Sequence, residues 1–267
     1  PPDLLIMEKD FAGDKDKDLI SVVSACLQKA NIPIMLVVTK EDMIKGLDLS
    51  LFPVDDLLVK PVDPAQLLTR IRLTEDRVKR VFDNNPLSKL PGNTTILKKI
   101  QSIIDDGSGR AVGYIDIDNF KPYNDHYGFS QGDDVILMVA RIMVNVIDEI
   151  AREGSFVGHI GGDDFVFIAN ENKIEEISAK ILSNFAIVRN MFIEPEDIKR
   201  GGYVEKDRQG RLTTYGLLSL SIAIIPTSHG NFKHFWEISA AAAQLKHKVK
   251  TMDGNNYLID RRSAKVE

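Results

Sequence analysis

Apolar and polar positions alternate along the chain in two distinct ways. In the first stretch Leu4-Leu5-Ile6-Met7 and Ile34-Met35-Leu36-Val37-Val38 are unbroken apolar runs, the pattern of strands buried on both faces. Between them Leu19, Val22, Val23, Cys26 and Leu27 recur at helical spacing. A short helical segment from about Glu41 precedes a third strand at Leu57-Leu58-Val59. Strands separated by crossover helices predict a parallel sheet with right-handed connections. From Pro64 to about Phe82 the period lengthens into one amphipathic helix with Leu67, Leu68, Ile71, Val78 and Val81 on its stripe, closed by Asn84-Asn85-Pro86. Two readings stand equal for this helix: a linker lying on its own domain, or a dimerisation stalk.

After Pro91-Gly92-Asn93 a second unit is expected, with Thr94 or Thr95 capping a helix that runs to about Ile104. Strands are expected at Ala111–Ile115, Phe156–Ile160, Phe165–Ala169 and Leu217–Ile225, and helices at Asp133–Arg152, Ile174–Arg189 and Phe232–Lys250. Asp207-Arg208-Gln209-Gly210 reads as a hairpin turn before the Leu217 strand. Trp236 is expected to anchor the last helix in the core.

Composition narrows the function classes. At 267 residues two domains are expected, and 43% hydrophobic with 27% charged residues suits a folded globular protein. Lys and Arg total 34 against 39 Asp and Glu, a formal charge of −5, which lends no support to nucleic-acid binding. No apolar run is long enough to cross a bilayer and no signal peptide is evident, so no membrane partner and a cytoplasmic location are expected. The single cysteine, Cys26, excludes an intramolecular disulfide and a cysteine-cluster metal site, and it and the five histidines lack ligand spacing.

Chemistry concentrates in two segments. In Tyr114-Ile115-Asp116-Ile117-Asp118-Asn119-Phe120-Lys121 an apolar strand delivers carboxylates and a lysine at its exit, followed by Asn124-Asp125-His126-Tyr127-Gly128 and Gly132-Asp133. In Ile160-Gly161-Gly162-Asp163-Asp164-Phe165 two glycines permit a tight reversal that carries adjacent carboxylates to a hairpin tip. If the two segments are neighbours in one sheet, Asp116, Asp163 and Asp164 meet. Gathered carboxylates repel unless cations join them, and hard oxygens select Mg²⁺ or Mn²⁺, whose shells phosphates complete. Each acid alone reads equally well as a solvated turn residue; two clusters beside glycines, with a lysine close by, favour a metal–nucleotide site.

Gly161-Gly162-Asp163-Asp164-Phe165 resembles the signature of GGDEF domains, the catalytic domains of diguanylate cyclases. Asn85-Pro86-Leu87-Ser88-Lys89-Leu90-Pro91 resembles that family's opening motif, Asp116 to Lys121 and Asn124 to Asp133 its metal- and base-binding stretch, and Leu218-Ser219-Leu220-Ser221-Ile222-Ala223 its late core strand. The resemblance implies an α+β nucleotidyl-cyclase-like GGDEF domain over 85–267, in which two domains face each other and condense two GTP into cyclic di-GMP and two pyrophosphates. It implies Asp116, Ile117 (through its carbonyl), Asp163 and Asp164 as ligands of Mg²⁺ or Mn²⁺. Asp163, Asp164 and Lys121 are implied as catalytic. Asn119, Phe120, Lys121, Asn124, Asp133, Lys246 and Lys250 are implied as substrate-binding, with Asn124 and Asp133 reading guanine and Lys246 and Lys250 competing for a phosphate contact. Asp133 reads equally as a helix N-cap.

The pattern departs from the family in three places. Asp164 stands where glutamate is usual, which withdraws the carboxylate by about one methylene, ~1.5 Å. Asn85, Ser88 and Lys89 replace the usual Asp, Thr and Gly. An inhibitory product site of the form Arg-x-x-Asp keeps Arg152 but has Ser155 for its aspartate, so product inhibition there is doubtful. Residues 1–72 resemble a partial or degenerate response-regulator receiver domain, α/β and flavodoxin-like with a parallel sheet, joined by a helical linker or stalk at 73–84. Glu8 occupies the phosphoacceptor position, Asp10 is an alternative two residues on, and Thr39 and Lys60-Pro61 match that family's switch residues. The resemblance thus implies a homodimeric, GTP-using cyclase regulated through its front half, with an upstream kinase or other signalling partner. The alternative is an inactive GGDEF domain that binds GTP or cyclic di-GMP; a receiver-type phosphotransfer adaptor is disfavoured by Glu8.

Overall fold

In a computed structural model of the protein, residues 3–9, 11, 32–48, 54–206 and 210–262 are described. The expected helix through Leu19 and Cys26, the alternative acceptor Asp10 and the turn residues Asp207 to Gln209 lie outside them. The chain divides into two compact units, Pro1–Phe82 and Asp83–Glu267.

In the first unit the three apolar runs form β1 (Leu5–Glu8), β2 (Ile34–Val38) and β3 (Asp56–Val59), paired parallel in the order β1-β2-β3. The central strand carries the buried residues Met35, Leu36 and Val38. After β2, Thr39 caps α1 (Lys40–Lys45), exchanging hydrogen bonds with Asp42 in a capping box. Glu8, at the end of β1, is ion-paired with Lys60 beyond β3. The long helix α2 (Pro64–Asp83) follows, and Leu68, Leu73 and Val81 on it are exposed.

The second unit is built on a five-stranded sheet: β4 (Arg110–Asp118), β5 (Phe156–Gly161), β6 (Asp164–Asn170), β9 (Ser219–Pro226) and β10 (Asn256–Ile259), in the order β10-β9-β4-β6-β5, with β7 (Gly202–Lys206) and β8 (Leu212–Gly216) as a separate hairpin. β4 is antiparallel to both neighbours. Period-2 alternation sorts its residues between two cores. Ala111, Ile115 and Ile117 pack with Phe165, Phe167, Ile222 and Ile224 against α5 (Phe129–Ile150) and α6 (Ile174–Val188). Val112 packs with Val166, Ile168, Ala223 and Ile225 against α3 (Asn93–Asp105) and α8 (Phe235–Val249). Two shorter helices, α4 (Phe120–Tyr127) and α7 (Pro195–Arg200), complete the described α-helices.

Three local expectations are corrected. Neither Thr94 nor Thr95 caps α3: their backbone amides donate to the Asp83 carboxylate, at 2.8 and 2.9 Å, so the cap comes from the end of α2. α5 begins at Phe129, so Asp133 lies inside its first turns and is not its N-cap. Trp236 is 56% exposed and stacks on the His234 ring instead of filling the core. Among the described residues no helix is long and apolar enough to cross a membrane.

Candidate functional site

The same alternation that sorts apolar residues along β4 places Asp116 and Asp118 on the α3/α8 side at the strand's exit. Across the sheet Asp116 pairs in register with Asp164 on β6 and with Ser221 on β9, and Asp118 pairs with Ser219. Asp164, Ser219 and Ser221 therefore share that face. Its roof is the C-terminal end of α8, which supplies Lys246 and, one turn on, Lys250.

The contacts follow from this placement. Lys246 Nζ lies 2.6 Å from Asp116 Oδ2 and also pairs with Asp164, while Lys250 Nζ lies 2.6 Å from Asp116 Oδ1. Burial works against the charge on Lys246, but the two carboxylates outweigh it and hold its pKa above the ordinary lysine value. Asp116 is 4% exposed, and although Lys250 pairs with its Oδ1, that oxygen has no aligned hydrogen-bond donor. Asp118 accepts from Ser219 Oγ at 3.0 Å and Ser221 Oγ at 2.8 Å; burial nonetheless pushes its pKa up, helped by the charge of Asp116.

The turn between β5 and β6 places the remaining acid. Gly161 and Gly162 take φ of 151° and 58°, backbone that L side chains rarely adopt, and Gly161 pairs with Asp164 across the hairpin. Asp163 sits at the tip, where its carbonyl accepts from the Ile117 N–H at 3.3 Å. Burial, then the charges of Asp116 and Asp164, raises the Asp163 pKa. The Leu220 N–H donates to Asn255 Oδ1, away from Ile117, and in an extended strand a residue's N–H and C=O point to the same edge. The Ile117 carbonyl therefore faces the Asp163 turn.

A second group of expected residues gathers at the other side of the β4 exit. Asn119 takes the left-handed conformation (φ 61°, ψ 19°), starts α4, and is held by its own Nδ2 donating to the Leu217 carbonyl and by Tyr203 Oη donating to its carbonyl at 2.9 Å. Phe120 is buried in the core, so only its backbone faces the site. Asn124 packs on Gly132: a Cβ there would lie 1.8 Å from Asn124 Oδ1. That oxygen is shielded from solvent and has no hydrogen-bond partner. Asp133, next to Gly132, and Lys121, in the first turn of α4, are exposed. Arg152 lies apart, near Gly154, whose carbonyl bonds Arg110 at the opposite end of β4. Ser155 donates to the Ala151 carbonyl.

Sequence reasoning missed two supports. Asp118 with Ser219 and Ser221 is legible as the i+2 neighbour of Asp116 facing alternate positions of β9. His159, 1% exposed between Ser88 and Gly162, is not signalled by spacing.

Residues 85–199 match the family model described as "Diguanylate cyclase, GGDEF domain". The chain is 30% identical over 188 residues, 68% of its length, to the bifunctional diguanylate cyclase/cyclic di-GMP phosphodiesterase MucR of Pseudomonas aeruginosa, of which the match covers 24%. It is 27% identical over 201 residues, 66% of its length, to the response regulator PleD of Caulobacter vibrioides, of which the match covers 42%. The chain thus spans less than half of either relative. The coiled coil and GGDEF domain of DgcB from Caulobacter crescentus, solved in complex with c-di-GMP, has the same fold with a TM-score of 0.51 at 18% identity, covering 73% of this chain and 94% of that one. The chain therefore carries a GGDEF domain, that of the diguanylate cyclase family, over residues 85–199.

Proposed function

We propose that this chain is a diguanylate cyclase, condensing two GTP into cyclic di-GMP and two pyrophosphates, with Mg²⁺ or Mn²⁺ as cofactor. The observation that carries the reading is the cross-strand meeting of Asp116 and Asp164, with Asp163 beside them, under two lysines. The donor set fits a hard divalent ion: three carboxylates, the inward-facing Ile117 carbonyl and a buried Asp116 oxygen with no aligned donor. Among the described residues no three acids or histidines are already arranged as a metal-holding group, and Lys246 and Lys250 neutralise Asp116. Asp116, Ile117, Asp163 and Asp164 would hold the ion, which when bound neutralises charge on the phosphates.

The chain's own groups then have distinct tasks. Lys246 and Lys250 exchange Asp116 for the triphosphate, joined by Lys121 from α4, while the Asn119-Phe120 backbone turns beneath it. Asn124 Oδ1 and the Asp133 carboxylate accept from the N1 and N2 donors of guanine, which adenine lacks as a pair. Asp164 takes the proton as the 3′-hydroxyl oxygen of one GTP bonds the α-phosphorus of the other and pyrophosphate leaves; repeating the step closes the ring. Two chains each present one GTP, and alignment supplies roughly 7–11 kcal/mol of the barrier reduction in favourable cases. The receiver-like front unit and α2 bring two chains together, with Glu8 replacing the phosphoacceptor, so control comes through a partner or dimerisation and not through phosphorylation at that position.

Purified protein with GTP and Mg²⁺ or Mn²⁺ is expected to yield cyclic di-GMP, and Asp163→Ala to abolish it while unfolding at the wild-type denaturant midpoint. A wild-type chain that binds GTP or cyclic di-GMP but makes no product at any protein concentration would leave the binding-module reading in its place.

A further inference from the structure

The hydrogen bonds around His159 specify which ring nitrogen carries the proton. The Gly162 carbonyl only accepts, and it lies 3.0 Å from Nε2, so Nε2 carries the hydrogen. Ser88 Oγ lies 2.8 Å from Nδ1. Ser88 Oγ also accepts from the Leu90 N–H at 3.3 Å, and in a neutral ring with its hydrogen on Nε2 the bare Nδ1 accepts the Ser88 hydroxyl hydrogen. Burial lowers the His159 pKa and so favours the neutral ring, which has one donor and one acceptor nitrogen.

The ring is clamped on every side. It stacks on Phe165, its partner across the β5–β6 pair, with centroids 4.2 Å apart and planes 17° from parallel. The His159 N–H donates to the Pro91 carbonyl at 2.9 Å. Ser88 is itself held, because Asn85 Oδ1 accepts from the amides of Leu87 and Ser88 at 2.9 and 3.0 Å. By contrast, a Cβ built on Gly162 meets nothing within 4 Å, so packing does little to fix that residue. A peptide unit is planar: orienting the Gly162 carbonyl orients the Asp163 N–H and Cα with it.

We propose that His159, set by Ser88, is a positioning residue that fixes the Gly162–Asp163 peptide and so the direction of the Asp163 carboxylate. The functional half of this inference rests on the cyclase reading; the structural half does not.

Imidazole ¹⁵N spectra of the full chain without nucleotide are expected to show His159 protonated at Nε2 and bare, hydrogen-bonded at Nδ1. Ser88→Ala should shift Nδ1 and mix the tautomers, and Ser88→Thr should restore the wild-type signal. His159→Phe keeps the stacked ring but loses both bonds, and should displace the Asp163 amide resonance more than those of β6. A wild-type ring protonated at Nδ1 alone, or an Asp163 amide unmoved in His159→Phe, overturns the relay whether or not the chain is active. With GTP, His159→Phe should lose about tenfold or more in kcat, the scale of a sub-ångström to 1 Å misplacement, with KM within twofold. His159→Gln, which can again donate to Gly162, should recover part of that loss. Wild-type kcat in His159→Phe overturns the positioning role; absence of product from the wild type instead overturns the cyclase reading.

Discussion

Gly132→Ala separates folding from base recognition. Gly132 lies in the first turns of α5, where the Cβ of alanine would sit 1.8 Å from Asn124 Oδ1 and 3.2 Å from the Phe120 ring edge. An ordinary carbon contact needs about 3.5 Å, so the amide must retreat by roughly 1.5–2 Å. Asn124 Oδ1 is the free end of a side chain with no partner to lose, so retreat is cheap for the fold. Alanine also gains ~0.5–1 kcal/mol of helix propensity over glycine, which offsets the tighter Phe120 contact. Net stability should stay within ~1 kcal/mol of wild type. Base reading should suffer: one hydrogen bond to guanine contributes about 0.5–1.5 kcal/mol, a two- to twelvefold loss of GTP affinity. Urea unfolding and calorimetric GTP titration measure the two quantities on the same preparation. In an Asn124→Ala background the alanine at 132 should cost no further affinity. Wild-type GTP affinity in Gly132→Ala, or additive losses in the double variant, would refute the reasoning.

Other perturbations test other parts. Lys246→Ala leaves the buried Asp116 carboxylate with Lys250 alone and should cost about 1–3 kcal/mol, less than a fully broken buried pair, by urea unfolding. Mn²⁺ should raise the Tm of that variant more than that of the wild type, since one ammonium fewer contests the acids; equal increments would count against a shared site. Asp83→Ala removes the acceptors for two amides at the start of α3 and should cost about 1 kcal/mol in the same unfolding assay, restored only in part by Asn, which offers one acceptor oxygen for the two amides. The folded His159 pKa is below its unfolded value of 6.5, so its contribution is complete above pH 6.5 and is lost as pH falls through the folded value. Stability measured from pH 7.5 downward should therefore fall less steeply in His159→Phe than in wild type, and identical slopes would contradict this.

Much of the site was legible because strands have a strict period. The glycine pair before Asp163 and Asp164 reads as a reversal, and the same period puts Asp116 and Asp118 on one face once the strand is carried past Ile115 to Asp118. The expected strand stopped at Ile115 because the carboxylates look like loop residues; they extend it to Asp118, since Ser219, Ser221 and the α8 lysines satisfy them at that depth. α5 starts at Phe129, four residues before the expected Asp133, and the missing side chain of Gly132 makes room for Asn124. Trp236 reads as an inward anchor from its large apolar ring, but the neighbouring His234 ring gives it a partner at the surface. The His159 relay joins residues 71 positions apart, and no local pattern encodes such a pair.

The division of β4 between apolar and acidic positions also constrains how the chain folds. A slip of one residue against β6 would drive two carboxylates into the layer beneath α5 and α6 and lift Ile115 and Ile117 out of it. Wrongly paired sheets are therefore penalised by Asp116 and Asp118 themselves, so neutralising this pair should loosen strand alignment.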